Sequence, residues 1–186
     1  MAIREVVTFP DPILKQRCAE VESFDAELRK LVDDMFDTLA VADGIGLAAN
    51  QVGVSKRVFV MDVPIDDQTR TGRIAVVNPR ITARRGEVRY EEGCLSFPGV
   101  NENVTRAAEI DVSFVDPEGK PQEVTARGLV AICMQHELDH LDGITFLDRL
   151  SPLKRRIVMR DYLRENREQI EEAQHKAKVR ARQAGA

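Results

Sequence analysis

Apolar residues recur at three- and four-residue intervals between Ser23 and Ala42, where Leu28, Leu31, Val32, Met35, Phe36 and Leu39 form one stripe. That period puts all six side chains on a single face and predicts an amphipathic helix with the stripe in the core. The Asp43-Gly44 pair predicts its closure, with Gly44 in the left-handed conformation that a residue without Cβ adopts at little cost. From about Lys56 to Thr125 the pattern changes to short apolar runs, Arg57-Val58-Phe59-Val60-Met61 and Ile74-Ala75-Val76-Val77 among them, separated by Pro, Gly and Asp. These predict strands. The clearest alternation sets Ile110, Val112 and Phe114 against Glu109, Asp111 and Ser113, and Asp116-Pro117-Glu118-Gly119 predicts the turn of an antiparallel hairpin. Helical spacing returns from about Thr125 to Leu141. A last helix starts at Ser151-Pro152, a hydroxyl cap before a proline in the first turn, and is expected to reach about Lys178. Strands gathered in the middle with helices at the ends predict an α+β fold, in which antiparallel β-sheets surround a central helix flanked by an N-terminal and a C-terminal helix.

The length of 186 residues fits one compact domain. With 43% apolar and 31% charged residues the chain is too hydrophobic to be disordered throughout. No stretch approaches the roughly 18 apolar residues of a membrane span. The start, Met1-Ala2-Ile3-Arg4-Glu5, lacks the charged-then-apolar design of a secretory signal, so a cytoplasmic protein with no membrane partner is expected. Three cysteines, Cys18, Cys94 and Cys133, are too few and too odd a number for a disulfide framework, and each is a candidate ligand or nucleophile. The net charge of -4 hides a division of sign: residues 1–150 hold 17 basic against 26 acidic side chains, and residues 151–186 hold 10 against 5. A basic tail on an acidic body is either a solvated helix or a surface that docks on something polyanionic.

The central helix carries Gln135-His136-Glu137-Leu138-Asp139-His140, an H-E-x-x-H motif whose spacing of four puts both imidazoles on one face, a turn apart. Two such ligands can meet one ion, and Glu137 beside them can reach a water on that ion without binding it, as a general base needs to. A catalytic tetrahedral site takes a third protein ligand and leaves the fourth place open. His175, 35 residues beyond His140, does not fit the extended peptidase motif, which disfavours an ordinary zinc endopeptidase. Cys94 sits in the Gly- and Pro-bracketed loop Gly93-Cys94-Leu95-Ser96-Phe97-Pro98-Gly99, which can bring a thiolate up to the helix. Leu129, Ile132, Cys133 and His136 follow one another at i, i+3, i+4 and i+7, so an apolar stripe leads to the first imidazole, as core packing or as the wall of a pocket. Cys18 has no candidate partner and reads as packed or inert. In Gly44-Ile45-Gly46-Leu47-Ala48-Ala49-Asn50-Gln51-Val52-Gly53 the small residues permit close backbone approach, and Gln51 offers an N–H to a developing oxyanion. By itself that segment reads as a helix-to-strand turn with a surface Gln. A phosphate loop is not supported, for no Lys-Ser/Thr or third dinucleotide glycine accompanies it.

Taken together, Gly44-x-Gly46-x-Ala48-Ala49-x-Gln51, Glu92-Gly93-Cys94-Leu95-Ser96 and Gln135-His136-Glu137-x-Asp139-His140 resemble, in order, the three signature motifs of bacterial peptide deformylase, over roughly residues 3–155. The resemblance implies a metal-dependent hydrolase that removes the N-formyl group from N-formylmethionyl peptides and nascent chains, with release of formate. It implies Cys94, His136 and His140 as metal ligands, Glu137 as acid/base, and Gln51 with the backbone N–H of Leu95 as holders of the carbonyl oxygen. Ile45 and Gly46 would lie along the substrate, and Leu129, Ile132 and Cys133 around a methionine side chain. Fe(II) is the implied ion, with zinc, nickel or cobalt as replacements. Residues 1–150 would form the catalytic deformylase-like domain and 151–186 a helical extension of it with a frayed end, whose basic helix contacts the ribosome; no DNA partner is implied. One departure is the run Gly99-Val100-Asn101-Glu102-Asn103 before Arg106, where many bacterial relatives carry an arginine soon after the proline. A general metallopeptidase or amidase, and a structural metal module, are the competing readings.

Overall fold

The computed structural model describes residues 2–64 and 71–184; of the polar end expected to fray, residues 185–186 lie outside them and the part up to Ala184 is helical. Helix α1 (Ala26–Ala42) starts where the Asp25 carboxylate accepts hydrogen bonds from the amides of Glu27 and Leu28, two of the N–H groups that a helix start leaves unpaired. Among the described residues seven strands follow: β1 (Gly46–Ala48), β2 (Val58–Pro64), β3 (Thr71–Arg85), β4 (Val88–Gly93), β5 (Asn101–Arg106), β6 (Glu109–Val115) and β7 (Pro121–Arg127). The chain ends in three helices, α2 (Gly128–Leu141), α3 (Pro152–Glu165) and α4 (Arg167–Ala184).

Strands β1-β2-β3-β6-β7 form one five-stranded sheet in that order and β4-β5 form a second, with every pairing antiparallel. The period of two along β2 divides the larger sheet between two helices. Phe59, Met61 and Val63 share a core with Ala131, Cys133, Met134 and Leu141 of α2, while Val58 and Val60 share one with Leu28, Leu31, Met35 and Leu39 of α1. A third cluster, Phe97, Val104, Phe146, Leu147, Tyr162 and Ile170, joins the small sheet to the C-terminal helices. Phe9 stacks on Phe97 with ring centroids 5.2 Å apart and meets Tyr162 edge-on at 6.1 Å. Helices α3 and α4 therefore take part, through Tyr162 and Ile170, in the packing around the β4–β5 loop.

The α+β class and the β6–β7 hairpin are as the hydrophobic pattern predicts. Four boundaries differ. It is Asp43, not Gly44, that takes the left-handed conformation after α1, with φ 53°. Gly44 is needed for room instead: a Cβ there would lie 2.9 Å from Leu39 Cδ1 and 3.1 Å from Leu95 Cδ1. Helix α2 starts at Gly128 rather than near Thr125, because ladder pairing with β6 holds β7 extended as far as Arg127 opposite Glu109. The single helix expected to end near Lys178 is two, broken at Asn166, and the second continues to Ala184. The segment after Gly44 is a short edge strand and a turn of 3-10 helix (Ala49–Val52), in which Gln51 is 2% exposed rather than on the surface.

Candidate metal centre

Helix α2 is enclosed between the larger sheet and the β4–β5 loop, so its residues from Ala131 to Leu141 are all buried, polar ones included. His136 and His140 lie a turn apart on it, with ring centroids separated by 5.0 Å. Cys94 follows the last residue of β4, and its carbonyl accepts from the amide of Phe97 at 2.9 Å, which turns the loop back on itself. Its Sγ comes to 3.2 Å from His140 Nε2. The donor atoms of Cys94, His136 and His140 all lie within 4.8 Å of one another, the one such group of three among the described residues.

Buried ion pairs fix this arrangement. Glu92 Oε2 lies 2.8 Å from His136 Nδ1, which leaves Nε2 for an ion. The same carboxylate accepts two bonds from the Arg106 guanidinium, at 2.7 and 2.8 Å, and Arg106 also pairs with Asp139, which Arg149 holds from outside. Burial would push the Glu92 carboxyl up, but Arg106 and His136 outweigh it and bring it to about 2. Burial likewise opposes charge on His136, yet Cys94 and Glu92 push its pKa well up, whereas burial, helped by the neighbouring His136, pushes His140 well down. One cysteine sulfur and two imidazoles form a donor set whose binding of a cation is coupled to proton release. Their soft sulfur and borderline nitrogens suit a divalent transition metal better than Mg²⁺ or Ca²⁺. The site thus fits such an ion by its chemistry.

Glu137 stands beside the triad, 4% exposed, with Oε2 buried and unpartnered among the described residues. Burial raises its pKa to about 7, the range in which a carboxyl both accepts and returns a proton near neutrality. Strand β1 passes so close that a Cβ on Gly46 would sit 2.4 Å from Glu137 Oε1 and 2.8 Å from Cys133 Sγ, which requires glycine there. On the other side, Gln51 Oε1 accepts from the amide of Ala48 at 2.9 Å, and this orients the side-chain amide. Gln51 Nε2 then donates to Ser96 Oγ at 3.1 Å and faces Cys94 Sγ at 3.6 Å. Ser96 can accept because its own hydroxyl donates to the Val7 carbonyl at 2.8 Å.

A cleft of about 470 Å³ opens beside the triad, and its walls include Ile45, Gly46, Gln51, Cys94, Leu95, Leu129, Ile132, Cys133, His136 and Glu137. Every site residue picked out in the sequence therefore lines this cleft except His140, which is fully buried behind His136 and Cys94. Leu129 is half-buried, while Ile132 and Cys133 are 4% and 3% exposed. Burial keeps the Cys133 thiol well above the ordinary range, hence protonated and unlike a ligand. Cys18 is packed in the core between α2 and the sheet. Sequence reasoning assigned no role to Glu92, Ser96, Arg106 or Asp139. Glu92, Ser96 and Asp139 stand inside the quoted motifs, but nothing in one sequence shows that Arg106, on another strand, neutralises two of them. Arg106 is only 5% exposed and turned inward on Glu92 and Asp139.

The family model described as polypeptide deformylase matches residues 3–156. A peptide deformylase of Syntrophobacter fumaroxidans is 47% identical over 168 residues, 90% of this chain and 98% of that one. The crystal structure of a peptide deformylase from Legionella pneumophila superposes with a TM-score of 0.81 at 46% identity, covering 90% of this chain and 98% of that one. That of Ehrlichia chaffeensis peptide deformylase in complex with actinonin gives 0.83 at 40% identity, covering 90% and 99%.

Replacing Arg106 by Met should leave the Glu92 carboxylate buried without its cation. The expected cost is about 3–5 kcal/mol of stability in urea unfolding, together with a loss of about 10–100-fold in zinc affinity by competitive titration. Unchanged affinity would contradict the positioning assigned to this ion pair.

Proposed function

The chain belongs to the polypeptide deformylase family, metallohydrolases that remove the N-formyl group from newly made polypeptides, and we propose that Cys94, His136 and His140 hold its divalent ion while Glu137, Gln51 and the Leu95 amide carry out the chemistry. The observation that carries this reading is the convergence of one sulfur and two ring nitrogens within 4.8 Å at the end of a cleft that also holds Glu137 and Gln51. When bound, the ion supplies Lewis acidity, which makes water a competent nucleophile near neutral pH. Glu137 takes the proton of the attacking water and returns it to the amine that leaves, so its total charge is restored at the end of the cycle. Gln51 Nε2 and the Leu95 N–H donate to the oxygen of the formyl group as it becomes an oxyanion. An oriented donor of this kind contributes roughly a hundredfold to a thousandfold in rate, and the Ala48 amide already holds the Gln51 side chain in one orientation.

In this reading the half-buried and buried apolar wall of Leu129, Ile132 and Cys133 receives the methionine side chain, and Ile45 and Gly46 run beside the peptide. The closeness of Gly46 to Glu137 leaves little space around the reacting carbon, in keeping with a formyl group, which carries only hydrogen there. Fe(II) is the proposed ion, with zinc, nickel or cobalt as working replacements. A thiolate ligand and three unbonded cysteines suit the reducing cytoplasm. We also propose residues 1–150 as the catalytic domain and 151–186 as an extension of it. The exposed basic face of α3 and α4 would contact the ribosome.

Glu137→Ala is expected to keep the metal and the fold but to lose about 10²–10⁴-fold in formate release from a formylmethionyl tripeptide. Elemental analysis and circular dichroism check the first two. Retained turnover would refute the role of Glu137, and internal cleavage of unformylated peptides by the wild type would favour a general metallopeptidase. For the ribosome, truncating the tail would also remove Tyr162 and Ile170 from the core. The cleaner variant is Arg156→Glu with Lys178→Glu, both at exposed positions. It should weaken ribosome co-sedimentation more than tenfold at low salt and spare tripeptide hydrolysis; unchanged co-sedimentation would remove the proposal.

A further inference from the structure

Helix α4 lies entirely outside residues 3–156, which the family model matches, and its inner face lies on the N-terminal segment. Arg180 pairs with Asp11 and Lys176 pairs with Glu5. Asp11 is 6% exposed, and its other oxygen accepts from the amide of Ile13 at 3.0 Å, so that carboxylate is held from both sides. The Arg180 guanidinium also covers Gly53, where a Cβ would lie 3.3 Å from Nε. Gly53 is the residue that ends the 3-10 turn containing Gln51, and it takes φ 79°. Between Glu5 and Asp11 the segment reaches the catalytic cleft at three points. The amide of Val7 donates to the Gln51 carbonyl at 2.7 Å, the Val7 carbonyl accepts from Ser96 Oγ at 2.8 Å, and the amide of Phe9 donates to the Ser96 carbonyl at 2.9 Å.

We infer that α4 acts as a clamp through Arg180, a positioning residue that fixes the Gln51 side-chain amide by holding the Glu5–Asp11 segment and the Gly53 turn at once. The Gln51 amide has its N–H shared with Ser96, Ser96 is oriented by Val7, and Val7 belongs to the strip of chain that Arg180 and Lys176 pin at either end. An ion pair on a flexible surface is worth little. Here one partner is buried and doubly bonded, and the guanidinium makes a second contact over the glycine, which sets a position as well as a charge. The inference deepens the proposed reaction and rests on Gln51 as an oxyanion donor.

The test uses the full chain loaded with zinc and a formylmethionyl tripeptide. Arg180→Ala should lower kcat about fivefold and change KM less than twofold, a fraction of what the loss of a whole oxyanion donor costs; Arg180→Lys, which keeps the charge but not the planar contact over Gly53, should recover only part of it. In a Gln51→Ala background the same substitution should add less than twofold, since the group it positions is gone. Hydrogen exchange at the Val7 amide should become faster in Arg180→Ala, independently of turnover. An unchanged kcat with unchanged Val7 exchange, or a full fivefold loss repeated in the Gln51→Ala background, would overturn the clamp. Faster Val7 exchange together with a fully active Gln51→Ala would sustain the clamp and refute the catalytic role of Gln51 instead.

Discussion

The Arg106 guanidinium is the constraint on which the rest of the site depends. It stands at the end of β5, 5% exposed, and divides its donors between Glu92 and Asp139. Glu92 lies two residues before Cys94, and Asp139 immediately precedes His140. One side chain thus ties the strand that delivers the sulfur to the helix that delivers the nitrogens. Burying three ionised groups costs several kcal/mol each in desolvation, a cost offset only when every lone pair finds a donor. The two Arg106–Glu92 bonds, the Arg149 bonds to Asp139 and the 2.8 Å contact between Glu92 and His136 meet that condition. The gain is geometric: a bidentate pair cannot slide, so the separation between loop and helix is fixed before any ion binds.

From this constraint the division of labour follows. The interior of α2 faces the larger sheet through Met134 and Leu141, while His136 and His140 are turned to Cys94 at the end of the small sheet and Glu137 lies against Gly46 of β1. The helix is consequently buried on all sides, and most of its polar residues are paired or face the cleft. Glu137 Oε2 and His140 Nδ1 are buried without a partner among the described residues, and the Glu137 pKa is raised to about 7. Such a group is costly to stability and apt for moving protons. Fold stability and chemistry meet at the same turn of helix.

Much of this was legible in the sequence, and for identifiable reasons. The 3.6-residue stripe of Leu28 to Leu39 and the alternation of Ile110, Val112 and Phe114 report local burial, which is what periodicity encodes. The spacing of His136 and His140 required only helix geometry. What stayed hidden depended on partners far apart in the chain. Asp43, not Gly44, closes α1, because close packing against Leu39 and Leu95 decides where the small residue is needed. Gln51 reads as a surface residue until β1 pairs with β2 and buries it. Arg106 carries no local signal of its role, because its two acidic partners are 14 and 33 residues away. The break at Asn166 lies between Tyr162 and Ile170, two positions that join one core cluster with Phe97, a tertiary contact that the few apolar positions of α3 and α4 do not announce.

The most direct measurement of the central claim is X-ray absorption at the metal edge of protein loaded with one equivalent of zinc under anaerobic conditions. The account predicts a first shell with one sulfur at about 2.3 Å and two imidazole nitrogens at about 2.0–2.1 Å, the remaining scatterer being a light atom from solvent. A shell without sulfur, or one filled by a fourth protein side chain, would contradict it.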